Sequence, residues 1–195
     1  MDSRQKVIES AKRLFWTHGY STTSPKQVMA DSGVGQGSFY HHFPAKSDLG
    51  RVVIEENGRD LLATVRSAME GADNGRDRLI RFLGTTADAL EGCRIGGFSY
   101  DAGILADPEL RETLGSAFEA MTTMLEGVVR EGQSDGSLST ALDPTSTAAA
   151  VFALVEGAFI TARASGRQTP AHNATLGALL LLPAEPAPTA IDTNR

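Results

Sequence analysis

Cysteine is nearly missing from this chain: Cys93 is its one representative among 195 residues. No internal disulfide can form, so stability has to come from a packed core, and such usage suits a reducing cytoplasm. Long apolar runs are also scarce. The longest strongly apolar one, Leu176 to Leu182, is interrupted by Gly177 and Ala178. It falls well short of the roughly eighteen residues that a membrane span needs, and no signal peptide is expected. Paired cysteines, a phosphate-binding glycine loop and a dinucleotide fingerprint do not occur, and no internal repeat is evident. Strand signals are missing too, because no segment alternates with period two. These gaps argue against nucleotide and redox enzymes and against a β-rich fold, and no cofactor is expected.

What is present is a globular composition, 41% hydrophobic and 22% charged, which is ordinary for a packed soluble domain. The formal charge of −6 is unevenly spread. Residues 1–50 carry six Lys and Arg against four Asp and Glu, a net +2, which leaves −8 for the remainder. A mildly basic head on an acidic body fits a protein that touches phosphate with one end.

The head opens on an amphipathic helix, with Val7, Ile8, Ala11, Leu14 and Phe15 forming one stripe that ends at Gly19. Trp16, the only tryptophan, lies beside that stripe as a packing residue. Gly19 to Leu49 then compresses a helix start, a tight turn and a second short helix into about thirty residues. Ser24 is an N-cap, Pro25 suits the first helical position, and Gln27 stands where a capping box requires it. That helix closes near Ser32, since Gly33 can adopt the left-handed conformation. A second helix follows over 36–42, burying Val34 and Phe39 and presenting Gln36, Gly37, Ser38, Tyr40, His41 and His42. This is a helix-turn-helix whose outer face suits DNA. Gln and Ser read base edges, Gly lets the backbone approach, and Tyr, His and Lys46 hold phosphates.

The same stretch resembles the TetR family of bacterial transcriptional regulators. The resemblance rests on Gly19-Tyr20, Thr23-Ser24, Val28, Gly33-Val34, Gly37-Ser38, Phe39-Tyr40, His42-Phe43, Lys46 and Leu49. Two positions depart from it: Gly35 stands where the family has a Ser or Thr cap, and Met29 where Ala is common. With Thr23, Ser24 and Lys26 around the start of the first of the two helices, the candidate DNA contacts are complete.

Beyond the head, the pattern predicts a long helix over 46–69 with Gly58 at its middle, read either as a close-packing position or as a bend. Helices are further expected at 74–91, 95–105, 108–132, 144–165 and 170–182, three of them announced by Asp107-Pro108, Asp143-Pro144 and Thr169-Pro170 as cap and first position. The fold class is therefore all-α, and the resemblance implies a three-helix head on a body of about six helices. The expected organisation is a DNA-binding domain over 1–48, a ligand-binding and dimerisation domain over 49–182, and a tail over 183–195 rich in proline.

The resemblance implies two roles for the body, homodimerisation through its last two helices and capture of a small effector. Ala148, Ala149, Ala150, Ala153, Gly157, Ala158 and Ala162 make one helix rich in small residues, and Leu176 and Leu179 to Leu182 add apolar surface. These helices either close the monomer's own core or form a four-helix interface with a second copy. For the effector, Phe98, Tyr100, Phe118, Met121 and Phe152 are the candidate lining residues, with Arg94, Tyr100 or Asp101 to orient a polar group. The same side chains also suit an ordinary core.

Catalytic chemistry finds little support. His41 and His42 are adjacent on a helix and diverge by about 100°, whereas helical metal pairs sit four apart, and Cys93 reads as a small buried hydrophobe or an oxidation sensor. The expected function is a cytoplasmic, ligand-responsive regulator that binds double-stranded DNA, most simply a repressor released from a palindromic operator by a mainly apolar molecule. It is not expected to be an enzyme. The alternative is a helical small-molecule-binding or catalytic protein carrying an unused helix-turn-helix.

Overall fold

The structure is a computed structural model, and it describes residues 1–184. Among them are nine α-helices, two short 3-10 helices and no strand. The helices are α1 (Ser3–His18), α2 (Pro25–Ser32), α3 (Gln36–His42), α4 (Lys46–Met69), α5 (Gly75–Gly84), α6 (Ala102–Ala106), α7 (Pro108–Ser134), α8 (Pro144–Ser165) and α9 (Thr169–Leu180). Residues 185–195, most of the expected tail, lie outside the described residues. Pro183, the first residue of that tail, accepts the Ser139 N–H at 3.0 Å.

The chain forms two compact units, one of residues 1–64 and 91–121, the other of residues 65–90 and 122 onward. In the first, α1 packs on α2 and α3 and the unit buries Ile8, Phe39, Phe43, Leu49, Ile54, Ile104 and Leu110 completely or nearly so. Gly58 settles into close packing: a Cβ there would stand 3.1 Å from that of Ala117 on α7. The second unit contains α5, α8 and α9. Here α8 and α9 pack along one another, with Ala89, Ala158, Ala162 and Ala171 in one buried cluster.

Helix starts follow the cap chemistry where a side chain supplies it. Asp107 accepts the N–H groups of Glu109 and Leu110, and Asp143 that of Ser146. Three expectations need correction. The helix over 74–91 is α only to Gly84 and tightens to a 3-10 turn over Thr85–Asp88, where the hydroxyls of Thr85 and Thr86 donate to the carbonyls three residues back. The helix over 95–105 is split at Asp101, whose extended backbone (φ −88°, ψ 114°) ends a 3-10 turn over Gly96–Tyr100 and caps α6. Thr169 is the first residue of α9 and not its cap. Gln168 precedes it with helical backbone, and its side-chain amide donates to the Thr86 carbonyl at 2.5 Å.

Among the described residues, α8 is the one helix long and apolar enough by length and composition to cross a membrane.

Candidate nucleic-acid interface

The first turn of α2 is fixed by a reciprocal capping box. The Ser24 hydroxyl accepts the Gln27 N–H at 3.3 Å, and the Gln27 carboxamide accepts the Ser24 N–H at 2.7 Å, satisfying two donors that a helix start otherwise leaves open. Gly33 takes φ 68° and ψ 18°, the left-handed conformation that turns the chain. Gly35 then precedes α3 with ordinary φ of −68° and no side-chain cap. Val28, Val34 and Phe39 point inward and are buried.

Ionic links run from α1 to this motif and to α4. Arg13 of α1 grips the Asp31 carboxylate of α2 with two nitrogens, one at 3.0 Å, and the Ser10 hydroxyl donates to the same carboxylate. Those bonds, Arg13's foremost, hold the Asp31 carboxyl below its ordinary range. Lys12 lies 3.2 Å from Glu56 and 2.7 Å from Asp60 of α4. Two of the head's six cations, the half-buried Lys12 and the exposed Arg13, are thus paired with carboxylates of the same chain, so the basic surface is smaller than the charge count suggests. Arg4, Lys6 and Lys26 are exposed.

On α3 the outer face carries Gln36, Gly37, Tyr40 and His41, all exposed, with Ser38 half-buried. A Cβ on Gly35 or Gly37 would meet nothing within 4 Å. His42 is half-buried, and its Nε2 lies 2.9 Å from the Ser3 hydroxyl of α1. The Arg4 guanidinium lies 5.6 Å from the Phe43 ring centroid, at the end of α3. Ser3 and Arg4 escape a sequence reading because they stand 39 residues from their partners and form no local pattern.

Of the candidates around α2, Ser24 and Lys26 are exposed, whereas Thr23 is 1% exposed. Its hydroxyl donates inward to the Gly19 carbonyl at 2.8 Å. Lys46 is half-buried. Its ammonium stands 4.2 Å from the Tyr20 ring centroid and 3.4 Å from the Ser21 carbonyl, and burial lowers its pKa against the opposing pull of Asp101.

This arrangement, a capped helix, a left-handed turn and a short helix with an exposed polar face, the two helices packed on α1, has relatives. Residues 7–52 match the family model described as bacterial regulatory proteins, tetR family, and residues 75–177 match the tetracyclin repressor-like C-terminal domain. The chain belongs to the TetR family. It is 31% identical over 170 residues to the HTH-type transcriptional repressor DhaR of Mycobacterium sp. (strain GP1), spanning 86% of this chain and 85% of that protein. It is 27% identical over 176 residues to the HTH-type transcriptional regulator LmrA of Bacillus subtilis, spanning 87% and 90%. The crystal structure of reduced NemR from E. coli superposes with a TM-score of 0.87 at 21% identity, covering 95% of this chain and 100% of that one; at that identity the likeness is one of fold.

The residues proposed for an effector are divided. Phe98, Tyr100, Phe118 and Met121 belong to the first unit and Phe152 to the second. Phe98, Met121 and Phe152 are buried, Phe118 is half-buried, and Tyr100 is 71% exposed. Asp101 is engaged elsewhere, by Ser21 and the start of α6. Within the first unit an open groove of about 590 Å³ runs between α4 and α7, with Arg51, Glu55, Arg59 and Glu112 around Gly58 and Ala117. It is far more polar than the aromatic set. Cys93 is buried, and its sulfur accepts the Gly96 N–H at 3.3 Å. Among the described residues, no three His, Cys, Asp or Glu side chains gather as a metal site requires.

Proposed function

We propose that this TetR-family regulator is a homodimeric repressor whose α3 enters the major groove of each half of a palindromic operator. The observation that carries the reading is the unoccupied space around Gly35 and Gly37. Neither glycine needs positive φ and neither is pressed by its own protein; Gly37 lies inside α3, where glycine costs about 1 kcal/mol relative to alanine, and Gly35 caps it without a side chain. Two such residues beside Gln36 and Ser38 are accounted for by a surface that must come close from outside. Gln36 and Ser38 then read base edges, while Ser24, Lys26, Tyr40, His41, His42 and Lys46 hold phosphates. Thr23 serves from within by fixing the turn that presents Ser24.

The second copy docks on α8 and α9. Ala149, Ala150, Ala153 and Ile160 of α8 and Leu176, Leu180 and Leu181 at the end of α9 are exposed, and Gly157 has open space where a Cβ would be. A shallow groove of about 470 Å³ with Ala150, Ala153, Gly157 and Ala174 in its wall offers a close backbone approach. A twofold four-helix contact covers this apolar surface. The domain boundaries follow function, with DNA binding over 1–48 and dimerisation and effector capture over 49–182. A small, mainly apolar molecule held in the body lowers operator affinity by its preference for the non-binding arrangement. A gel shift with DNA upstream of the protein's own coding sequence tests the reading, and a retarded band chased by specific but not random competitor is the expected result.

A further inference from the structure

Asp101 uses one carboxylate for two purposes. As the cap of α6 its Oδ1 accepts the N–H groups of Gly103 at 3.0 Å and Ile104 at 3.4 Å. The same oxygen accepts the Ser21 hydroxyl, and Oδ2 accepts the Ser21 backbone N–H at 2.8 Å. The Ser21 hydroxyl in turn accepts the Gly103 N–H at 3.0 Å. The turn between α1 and α2 is thereby closed onto the start of α6 by a ring of bonds. Burial pushes the Asp101 carboxyl up, but the donors from Ser21, Gly103 and Ile104 outweigh it and hold the group below its ordinary range.

The glycines around the ring record how close the approach is. A Cβ on Gly103 would lie 2.6 Å from the Ser21 hydroxyl oxygen, and one on Gly19, where φ is +88°, would lie 3.3 Å from Asp101 Oδ2. On the other side of the turn, a Cβ on Gly50 of α4 would lie 2.8 Å from the Tyr20 ring. A second contact runs parallel to the clasp: the Trp16 ring lies 3.4 Å from the place of a Gly97 Cβ, with the Arg94 guanidinium 5.6 Å from its centroid. Neither Ser21 nor Asp101 belongs to the outward face of α3. What they fix is the angle of α1, and with it of the α2 and α3 that pack on it, relative to residues 96–106.

We propose that Asp101, acting through Ser21, is a positioning residue that sets the half-site spacing this regulator accepts. This rests on the dimeric, palindrome-reading function proposed above. Two clasped heads match one separation of recognition helices, whereas released heads rock and accept several, each less tightly because the ordering cost is met on binding.

The test uses the full-length protein and a palindrome selected by it from random DNA, together with versions carrying one or two base pairs inserted or deleted at the centre. The variants are Ser21→Ala, which leaves the α6 cap in place, Asp101→Ala and the double variant, with affinities read by anisotropy and folding by circular dichroism. The wild type is expected to lose affinity sharply on each respaced DNA. Asp101→Ala should compress that loss to within about threefold while weakening the selected palindrome by about tenfold; Ser21→Ala, which keeps the backbone bond to Oδ2, should move both in the same direction by less, and the double variant should go no further than Asp101→Ala. Binding to an isolated half-site should not change. Should Asp101→Ala fail to fold, Ser21→Ala and Gly103→Ala, which forces the ring open, decide the matter. Variants that melt earlier yet keep the wild-type spacing ratio overturn the proposal and leave the clasp a stabilising contact. A wild type that binds no palindrome overturns instead the reading on which it rests.

Discussion

Lys46 and Tyr20 meet face to charge: the ammonium lies 4.2 Å from the ring centroid, close enough for a cation–π attraction of about 0.5–2 kcal/mol. The stem of Lys46 is therefore anchored at the head while its charge remains half-buried. If each chain also brings this charge to one phosphate, Lys46→Ala should flatten the dependence of log K on log salt by about 1.8 for the dimer, at roughly 0.9 per contact. Fluorescence titration across a salt series measures the slope. An unchanged slope would assign Lys46 wholly to Tyr20 and the Ser21 carbonyl.

Gly37→Ala separates the needs of the helix from those of its surface. A Cβ there meets no atom of the protein within 4 Å, so the variant should gain up to about 1 kcal/mol of stability in chemical denaturation. Operator affinity should fall at the same time. A variant both more stable and equally tight on DNA would leave the glycine unexplained.

Acid should weaken the fold through identifiable carboxyls. Asp31, Asp101, Glu126, Asp135 and Asp143 are all shifted below their ordinary values, so between the folded and unfolded pKa values the unfolded chain binds more protons. Their stabilisation is complete above the unfolded values and is lost as pH falls through the folded ones. The melting temperature should thus drop below about pH 4. Asp101→Asn should melt lower at neutral pH and show a shallower acid decline, as scanning calorimetry over a pH series can record.

Legibility in the sequence follows the range of the interaction. Ser24, Pro25, Gln27 and Gly33 act within a turn or two, so α2 and α3 are readable to the residue, as are α4 and α8. The inward turn of Val34 and Phe39 and the outward turn of Gln36 and Gly37 follow from the same local chemistry. Asp101 is not readable, because its partner Ser21 lies 80 residues away, and an acidic residue beside an aromatic one passes for a ligand contact. Ser3 and His42, 39 apart, are silent for the same reason. Thr23 looks outward-facing beside its neighbour Ser24, yet the nearby Gly19 carbonyl takes its hydroxyl. A charge count overstates the basic surface, since no count reveals that Lys12 and Arg13 are paired.

Dimerisation should fail when charge enters the α8 surface. Ala153 is exposed in the single chain, so Ala153→Glu leaves the protomer's packing intact while placing a carboxylate in the proposed α8–α9 interface. Sedimentation equilibrium should report a monomer with unchanged helicity, and operator binding should be lost. A dimer that survives the substitution would place the interface elsewhere.

Whether two copies of α3 read a palindrome is decided by footprinting the protein on its selected operator alongside Gln36→Ala. Two protected half-sites centred about 34–36 Å apart are expected. Gln36→Ala should weaken binding to this operator by about 1–3 kcal/mol for each base edge it no longer reads, with little change on random DNA. Protection of a single half-site by a monomer, or equal weakening on operator and random DNA, would contradict the palindromic reading.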